Sequence, residues 1–545
     1  VSGSNSGSLF SLTLRSGCLK SGLDVSFCKE PTDFSLKLNF VSTSFRIKNE
    51  VVCHRTHLIK GGGIMAITIQ FGLYLLLMLG IGYYSMRRTQ NNEDFIIGGR
   101  TLGPVTSAIS AGASDMSSWL LLGLPGAVFA AGLVDGVWIS LGLVLGAYGN
   151  WYIVAPRLRA YSEKLNAVTL PTYLSNRFDD ASGVLKTTSA VVILIFFTLY
   201  VASGLKGGTL LFAHSFGATE QTALIITTLV VVSYTFLGGY MAVCWTDLIQ
   251  GLLMLTALAF CSLLAFFAIS GSGADIATAN PKAFNFSTTW ITGASLMAWG
   301  FGYFGQPHIL ARFIGINKVE EVPKARRICM SWMILCLLLS VSIGLMGIGY
   351  NVIAPMAGVA GPDGNKERIF LAMVSALFHP VFGGFVLAAV LAAVMSTADS
   401  QLLVLTSALT EDLPFFSRFN DKQKAWISRF GVVGFALIAY IITSSTGGTI
   451  LAMVGYAWGG FGAAFGPLII LSLVWRGTTK YGALAGMVVG AITIFVVKNY
   501  IKIEGEYFYE LLPGFILAFI AIIVVSLITA KPTEETLQKF DESQV

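Results

Sequence analysis

From Met65 onward the chain is a succession of long apolar runs separated by short charged or Pro/Gly-rich stretches. The runs fall at 66–86, 104–131, 134–154, 188–213, 221–239, 242–270, 288–310, 328–353, 381–408, 425–445, 449–475, 480–498 and 511–530. An α-helix needs roughly 20 apolar residues to cross a bilayer, so the pattern predicts an all-α integral membrane protein of about thirteen transmembrane helices. Only Leu237–Tyr240 separates the fifth run from the sixth, and 367–379 reads as a further short helix outside the membrane.

The loops set an orientation. Arg87, Arg88 and Arg100 follow the first run; Arg157, Arg159, Lys164, Arg177 and Lys186 follow the third. Arg312, Lys318, Lys324, Arg326 and Arg327 follow the seventh, Arg418, Lys422, Lys424 and Arg429 the ninth, and Arg476, Lys480, Lys531 and Lys539 lie further on the same side. The alternate loops hold only Lys282, Lys366, Arg368, Lys498 and Lys502. Cytoplasmic loops are the Lys/Arg-rich ones, which puts the N-terminus outside and the C-terminus inside and requires an odd number of crossings.

Composition agrees with a membrane bundle. Of 545 residues, 54% are hydrophobic and 12% charged, which excludes a soluble enzyme, a disordered chain and a nucleic-acid binder. The net charge of +6 does not signal an anionic partner, because residues 1–64 carry 8 Lys/Arg against 4 Asp/Glu and the rest is nearly neutral. Those 64 residues are Ser-rich and lack the apolar core of a signal peptide. Asp24, Glu30, Asp33 and Glu50 argue against a transit peptide, and Lys60–Gly63 would be encoded by purine-rich codons just before Met65. The segment is therefore read as a mis-extended reading frame, with the working domain at 65–530 and a cytoplasmic tail at 531–545. The seven cysteines show no disulfide or metal spacing.

Polar groups inside apolar runs locate function, since helices are interrupted in a membrane only where protein or a water-filled cavity covers the break. The second run contains SAISAGASDMSSW, with Asp115 near mid-span among Ser107, Ser110, Ser114, Ser117 and Ser118. Small residues also make helix-packing seams, but a carboxylate at that depth is costly and points to a cation or a proton. The ninth run carries AAVMSTADSQ, in which Ser396 and Ser400 share a helical face, with Thr397 and Asp399 beside them. Hydroxyls and carbonyls from two such segments suit a hard cation such as sodium. In the seventh run, Trp299, Tyr303 and Pro307 stand at i, i+4 and i+8 with Gly300, Gly302 and Gly305 between them. Interrupted helices of this kind mark solute sites in secondary transporters. Tyr200 is a further aromatic candidate, and Asp247 near one end of the sixth run suits pairing with a basic residue or gating. His308 reads as a helix-end residue, Lys206 as a snorkelling lysine, and the small residues of GYAWGGFGAAFGP as packing.

Three long stretches, GGRTLGPVTSAISAGASDMSSWLLLGLPGA at 98–127, WGFGYFGQPHILARF at 299–313 and LAAVMSTADSQLL at 391–403, closely resemble the sodium/solute symporter family, in particular its proline-transporting bacterial branch. The resemblance implies a LeuT-type core of two five-helix inverted repeats, spans two to six and seven to eleven, and sodium-coupled import of L-proline across a bacterial inner membrane. It implies a sodium site made by the backbone oxygens of Ala113, Met116 and Ala393 and the hydroxyls of Ser396 and Thr397, with Asp115 and Ser117 governing affinity. Trp299, Tyr303 and Pro307 would belong to the proline site and its gate, Tyr200 to the solute side, and Trp119 to the edge of the break in span two. Ser118 stands where the branch usually has glycine.

Rival readings are a same-fold symporter for pantothenate, a monocarboxylate or a sugar, and a membrane solute sensor, which would need a longer signalling domain than the residues after span thirteen. No Walker-type phosphate loop or nucleophile–base pair points to an enzyme, and no obligate protein partner is implied.

Overall fold

The computed structural model describes residues 62–543, apart from 89–91, 237–238, 357, 362–363 and 417. The reading of residues 1–64 therefore lies almost wholly outside the described residues. The helices of eight or more residues are α1 (Gly62–Met86), α2 (Pro104–Asp115), α3 (Leu124–Ala131), α4 (Leu133–Gly149), α5 (Ala155–Lys164), α6 (Leu170–Arg177), α7 (Val184–Phe216), α8 (Glu220–Thr235), α9 (Tyr240–Ser270) and α10 (Trp290–Met297). They continue with α11 (Pro307–Gly315), α12 (Val322–Ile353), α13 (Ile369–Leu377), α14 (Pro380–Ser407), α15 (Asp421–Ser445), α16 (Ile450–Val474), α17 (Lys480–Tyr500), α18 (Leu511–Ile528) and α19 (Glu534–Asp541).

Ten described helical segments are long and apolar enough to cross a membrane. The three other predicted runs fall on α2 and α3 with the break between them, on the 16-residue α8, and on α10 and α11 with the 3₁₀ stretch Ala298–Gly305 between them. Two of these three are broken, and they hold equivalent places at the start of the two expected repeats. The short helix expected at 367–379 is α13, buried on the face bearing Ile369, Phe370, Leu371, Met373 and Val374.

Helix starts follow capping rules. Thr169, Thr219, Thr289, Thr449 and Thr479 each accept a backbone N–H three residues on, and Asn420 with Gln423 forms a capping box. Burial ranks the helices: the apolar windows of α14 and α16 are 83% and 89% buried, that of α15 only 22%. α14 and α16 are thus core elements and α15 presents most of its surface outward, which for apolar residues such as Phe430, Leu437 and Ile441 means lipid. The tail helix α19 packs Phe540 beneath the Arg177 guanidinium, and Asp541 pairs with Arg476 at 2.8 Å.

One expectation from the loop charges is corrected here. Arg312 is not a loop residue; it is fully buried on α11.

Candidate sodium and solute site

The break after α2 arises at Met116, whose backbone (φ −82°, ψ 76°) leaves the helix. The Ser117 N–H turns to the carbonyl of Asp115 (2.9 Å) instead of reaching back one helical turn to Ala113. That would leave the Ala113 carbonyl without its intrahelical donor, and a buried carbonyl needs one. The hydroxyl of Ser396 on α14 supplies it at 2.9 Å, and lies 3.3 Å from the Ala393 carbonyl. The chain resumes as a π-type turn, Trp119–Gly123, with the Trp119 indole donating to the Asp115 carbonyl (3.1 Å).

Three of the five expected sodium ligands, Ala113, Ala393 and Ser396, therefore meet within hydrogen-bond distance. Thr397 is buried beside them with its hydroxyl unpartnered. A buried oxygen of this kind, with no protein donor or acceptor, suits a hard cation. Met116 forms the break itself, and Ser117 Oγ sits 3.5 Å from the Trp119 N–H.

Asp115 is 1% exposed. One carboxylate oxygen accepts the Tyr303 hydroxyl and the other has no partner. This bond ties the break in the second span to the 3₁₀ stretch of the seventh. Asn150 on the π-type turn after α4 donates to the Tyr303 carbonyl (2.9 Å), and Trp458 stands edge-on to the Tyr303 ring, centroids 5.0 Å apart. The Trp458 indole donates to the Trp299 carbonyl at 2.7 Å, and the Gln306 amide bridges the Gly302 and Trp458 carbonyls at 3.2 Å each. Asn150, Gln306 and Trp458 were missed by sequence reading. Trp458 lies within the run assigned to packing alone, and its nearest signal was being a lone large indole in a small-residue helix.

The i, i+4, i+8 register of Trp299, Tyr303 and Pro307 is corrected. Ala298–Gly305 is a 3₁₀ helix of three residues per turn, which rotates Tyr303 away from Trp299 and lengthens the segment to roughly 2 Å per residue. Trp299 stacks on Tyr509 (5.2 Å), Tyr303 meets Asp115, and Pro307 begins α11, lining a separate narrow cavity of about 20 Å³ with Ile193, Leu403, Ser407 and Asp412. The glycines let neighbouring helices close on this stretch: a Cβ on Gly300 would sit 2.1 Å from the Gly142 carbonyl oxygen, and one on Gly302 would sit 1.8 Å from the Trp458 indole nitrogen. Tyr200 is fully buried near Asp115 and Tyr303, edge-on to His308 at 6.2 Å. Ser118 is accommodated by Gly207, where a Cβ would lie 2.3 Å from the serine hydroxyl.

Asp247 lies in a different cluster. It pairs with Arg312 at 3.1 Å and accepts the Ser110 hydroxyl at 2.6 Å, with both charged groups fully buried. The pairing with a basic residue expected for Asp247 is present, although its partner was counted among the loop charges.

The chain matches known proteins over most of its length. It is 46% identical over 476 residues to the high-affinity proline transporter of Bacillus subtilis (strain 168), covering 86% of this chain and 99% of that one. It is 44% identical over 485 residues to the sodium/proline symporter of Escherichia coli (strain K12), covering 87% and 95%. Its fold superposes on a sodium-coupled sialic acid symporter solved in a substrate-bound, outward-open state, with a TM-score of 0.72 at 20% identity over 86% of this chain and 99% of that one. This likeness carries the LeuT-type, all-α membrane architecture. The model of the sodium:solute symporter family matches residues 95–490, and the chain, with its broken second and seventh spans, belongs to that family.

Proposed function

We propose that the protein is a secondary active transporter that imports L-proline with sodium by alternating access, without covalent catalysis, in a bacterial inner membrane. The working domain is 65–530, with its N-terminus outside and C-terminus inside. The single observation that carries the reading is the double tie at the break: Ser396 to Ala113 across α2 and α14, and Tyr303 to Asp115 across the second and seventh spans. The relatives named for proline support the choice of solute.

Sodium is the cargo ion. Ala113, Met116, Ala393, Ser396 and Thr397 supply its oxygens, while Asp115 and Ser117 set the local charge and the shape of the break. Proline carries a charged carboxylate and a secondary ammonium on an apolar ring. The aromatic faces of Tyr303, Trp299, Tyr200 and Trp119 suit the ring, and the open oxygen of Asp115 suits a positive charge. Sodium binding between α2 and α14 stabilises the arrangement in which Tyr303 is held by Asp115, so ion and solute affinities rise together. The cavity beside Pro307 is far below the roughly 300 Å³ of an ordinary ligand pocket, and proline needs that side to open before it leaves.

The energetics suffice. One charge crossing about 100 mV gains about 2.3 kcal/mol, and a tenfold sodium gradient adds about 1.4 kcal/mol. Together they sustain accumulation on the order of 500-fold.

The test is uptake of labelled proline into vesicles with an imposed sodium gradient, with and without a matched proton gradient. Sodium-dependent accumulation is expected, resistant to excess pantothenate, monocarboxylate or sugar. Displacement by one of these would assign a different solute, and binding without accumulation would assign a sensor.

A further inference from the structure

Arg312 is the fully buried cation at the centre of the second cluster, and four helices meet on it. It is carried by α11. Its Nε donates to Ser110 Oγ on α2 at 3.1 Å. Its Nη2 donates to Ser400 Oγ on α14 at 2.5 Å and to Asp247 Oδ2 on α9 at 3.1 Å, and Nη1 returns to the His308 carbonyl at 2.9 Å. The Ser107 hydroxyl of α2 also donates to the Arg312 carbonyl at 3.1 Å.

The register of these contacts matters more than their number. Ser110 precedes Ala113 by three residues and Ser400 follows Ser396 by four, so each lies one turn along the same helical face. The guanidinium thus bridges α2 and α14 one turn away from the Ser396–Ala113 contact. Both bridges fix the separation of the same two helices. Arg312 is also on the helix that starts at Pro307, which follows the stretch whose Tyr303 holds Asp115 after one extended residue, Gln306.

We propose that Arg312 is the positioning residue that couples the solute site to the sodium site: it clamps α2 to α14 at the spacing that the sodium oxygens require, and passes movements of the seventh span to that spacing. This rests on the sodium-site assignment made under Proposed function. A guanidinium suits the task because its planar fork reaches several acceptors at once in fixed directions, whereas a lysine ammonium is a compact point charge on a flexible stem. A residue needed only to neutralise Asp247 would be replaceable by lysine.

The decisive variant is Ser110→Ala combined with Ser400→Ala, which keeps the ion pair and removes both arms of the clamp. In proteoliposomes of the purified protein, its sodium half-saturation constant is expected to rise on the order of tenfold. The factor by which saturating proline lowers that constant is expected to fall toward one. Proline KM at saturating sodium should change by less than about threefold. Arg312→Lys should fold and show the same shift, without rescue. Wild-type sodium constants in the serine double variant, or full rescue by lysine, would overturn the proposal. Thr397→Ala is the control: if it raises the sodium constant while the serine double variant does not, the clamp fails and the sodium site stands. If wild type shows no sodium-driven uptake, both readings fall.

Discussion

Asp115 and Asp247 are both carboxylates buried in the apolar interior, on α2 and α9 respectively, yet they are held in opposite ways. Asp247 has a resident counter-ion, the Arg312 guanidinium at 3.1 Å, and the Ser110 hydroxyl on the same oxygen. Asp115 has a neutral partner, the Tyr303 phenol, and an oxygen with no partner. A buried charge is tolerated when paired and is costly when alone. The first carboxylate is therefore balanced within the protein and the second is not; under the proposed function the cargo cation balances it. The same division runs through the hydroxyls: Ser400 is engaged by Arg312, while Thr397, one turn away on α14, is unengaged.

The contrast can be broken from either side. Asp247→Ala removes the carboxylate that pairs with buried Arg312 and leaves only Asp399, buried nearby without an ion-pair contact to it, so the largest effect expected is on folding, about 3–5 kcal/mol. It would be read as a lowered thermal midpoint in detergent and reduced abundance in the membrane. Asp115→Ala should reach the membrane at normal levels while sodium-driven proline uptake falls on the order of 100-fold, the loss of about 3 kcal/mol from a charged partner. Undiminished uptake at low sodium would remove Asp115 from the site. Tyr303→Phe deletes the phenol bond alone, and proline KM is expected to rise roughly tenfold, measured against an unchanged rate at saturating proline. Thr397→Ala removes one neutral oxygen and should raise the sodium half-saturation constant about fivefold. Ser118→Gly should shift that constant least, by under about threefold, because the Ser118 hydroxyl makes no hydrogen bond.

How much of this was readable beforehand depended on range. Spans such as α14 were placed by hydropathy to within a residue or two, 381–408 against Pro380–Ser407. The break after Asp115 was legible as a carboxylate amid serines where a membrane helix tolerates neither lightly. The burial of Arg312 is not legible in the sequence, because positive charge near a run's end ordinarily marks a loop and nothing local announces a partner 65 residues away in sequence. The register of Trp299, Tyr303 and Pro307 is not legible locally, because glycine spacing shows that a helix is loosened without showing how it rewinds.

The amino-acid sequence by itself determined the membrane-spanning class, the approximate spans and the two places where they break, since these follow from local hydropathy and from the local cost of polar groups in hydrocarbon. Tertiary structure alone decided which carboxylate pairs with a guanidinium, which oxygens meet between α2 and α14, and how the aromatic run winds. Those outcomes depend on distances between segments remote in the chain, where a glycine's missing Cβ or a guanidinium's reach sets the geometry.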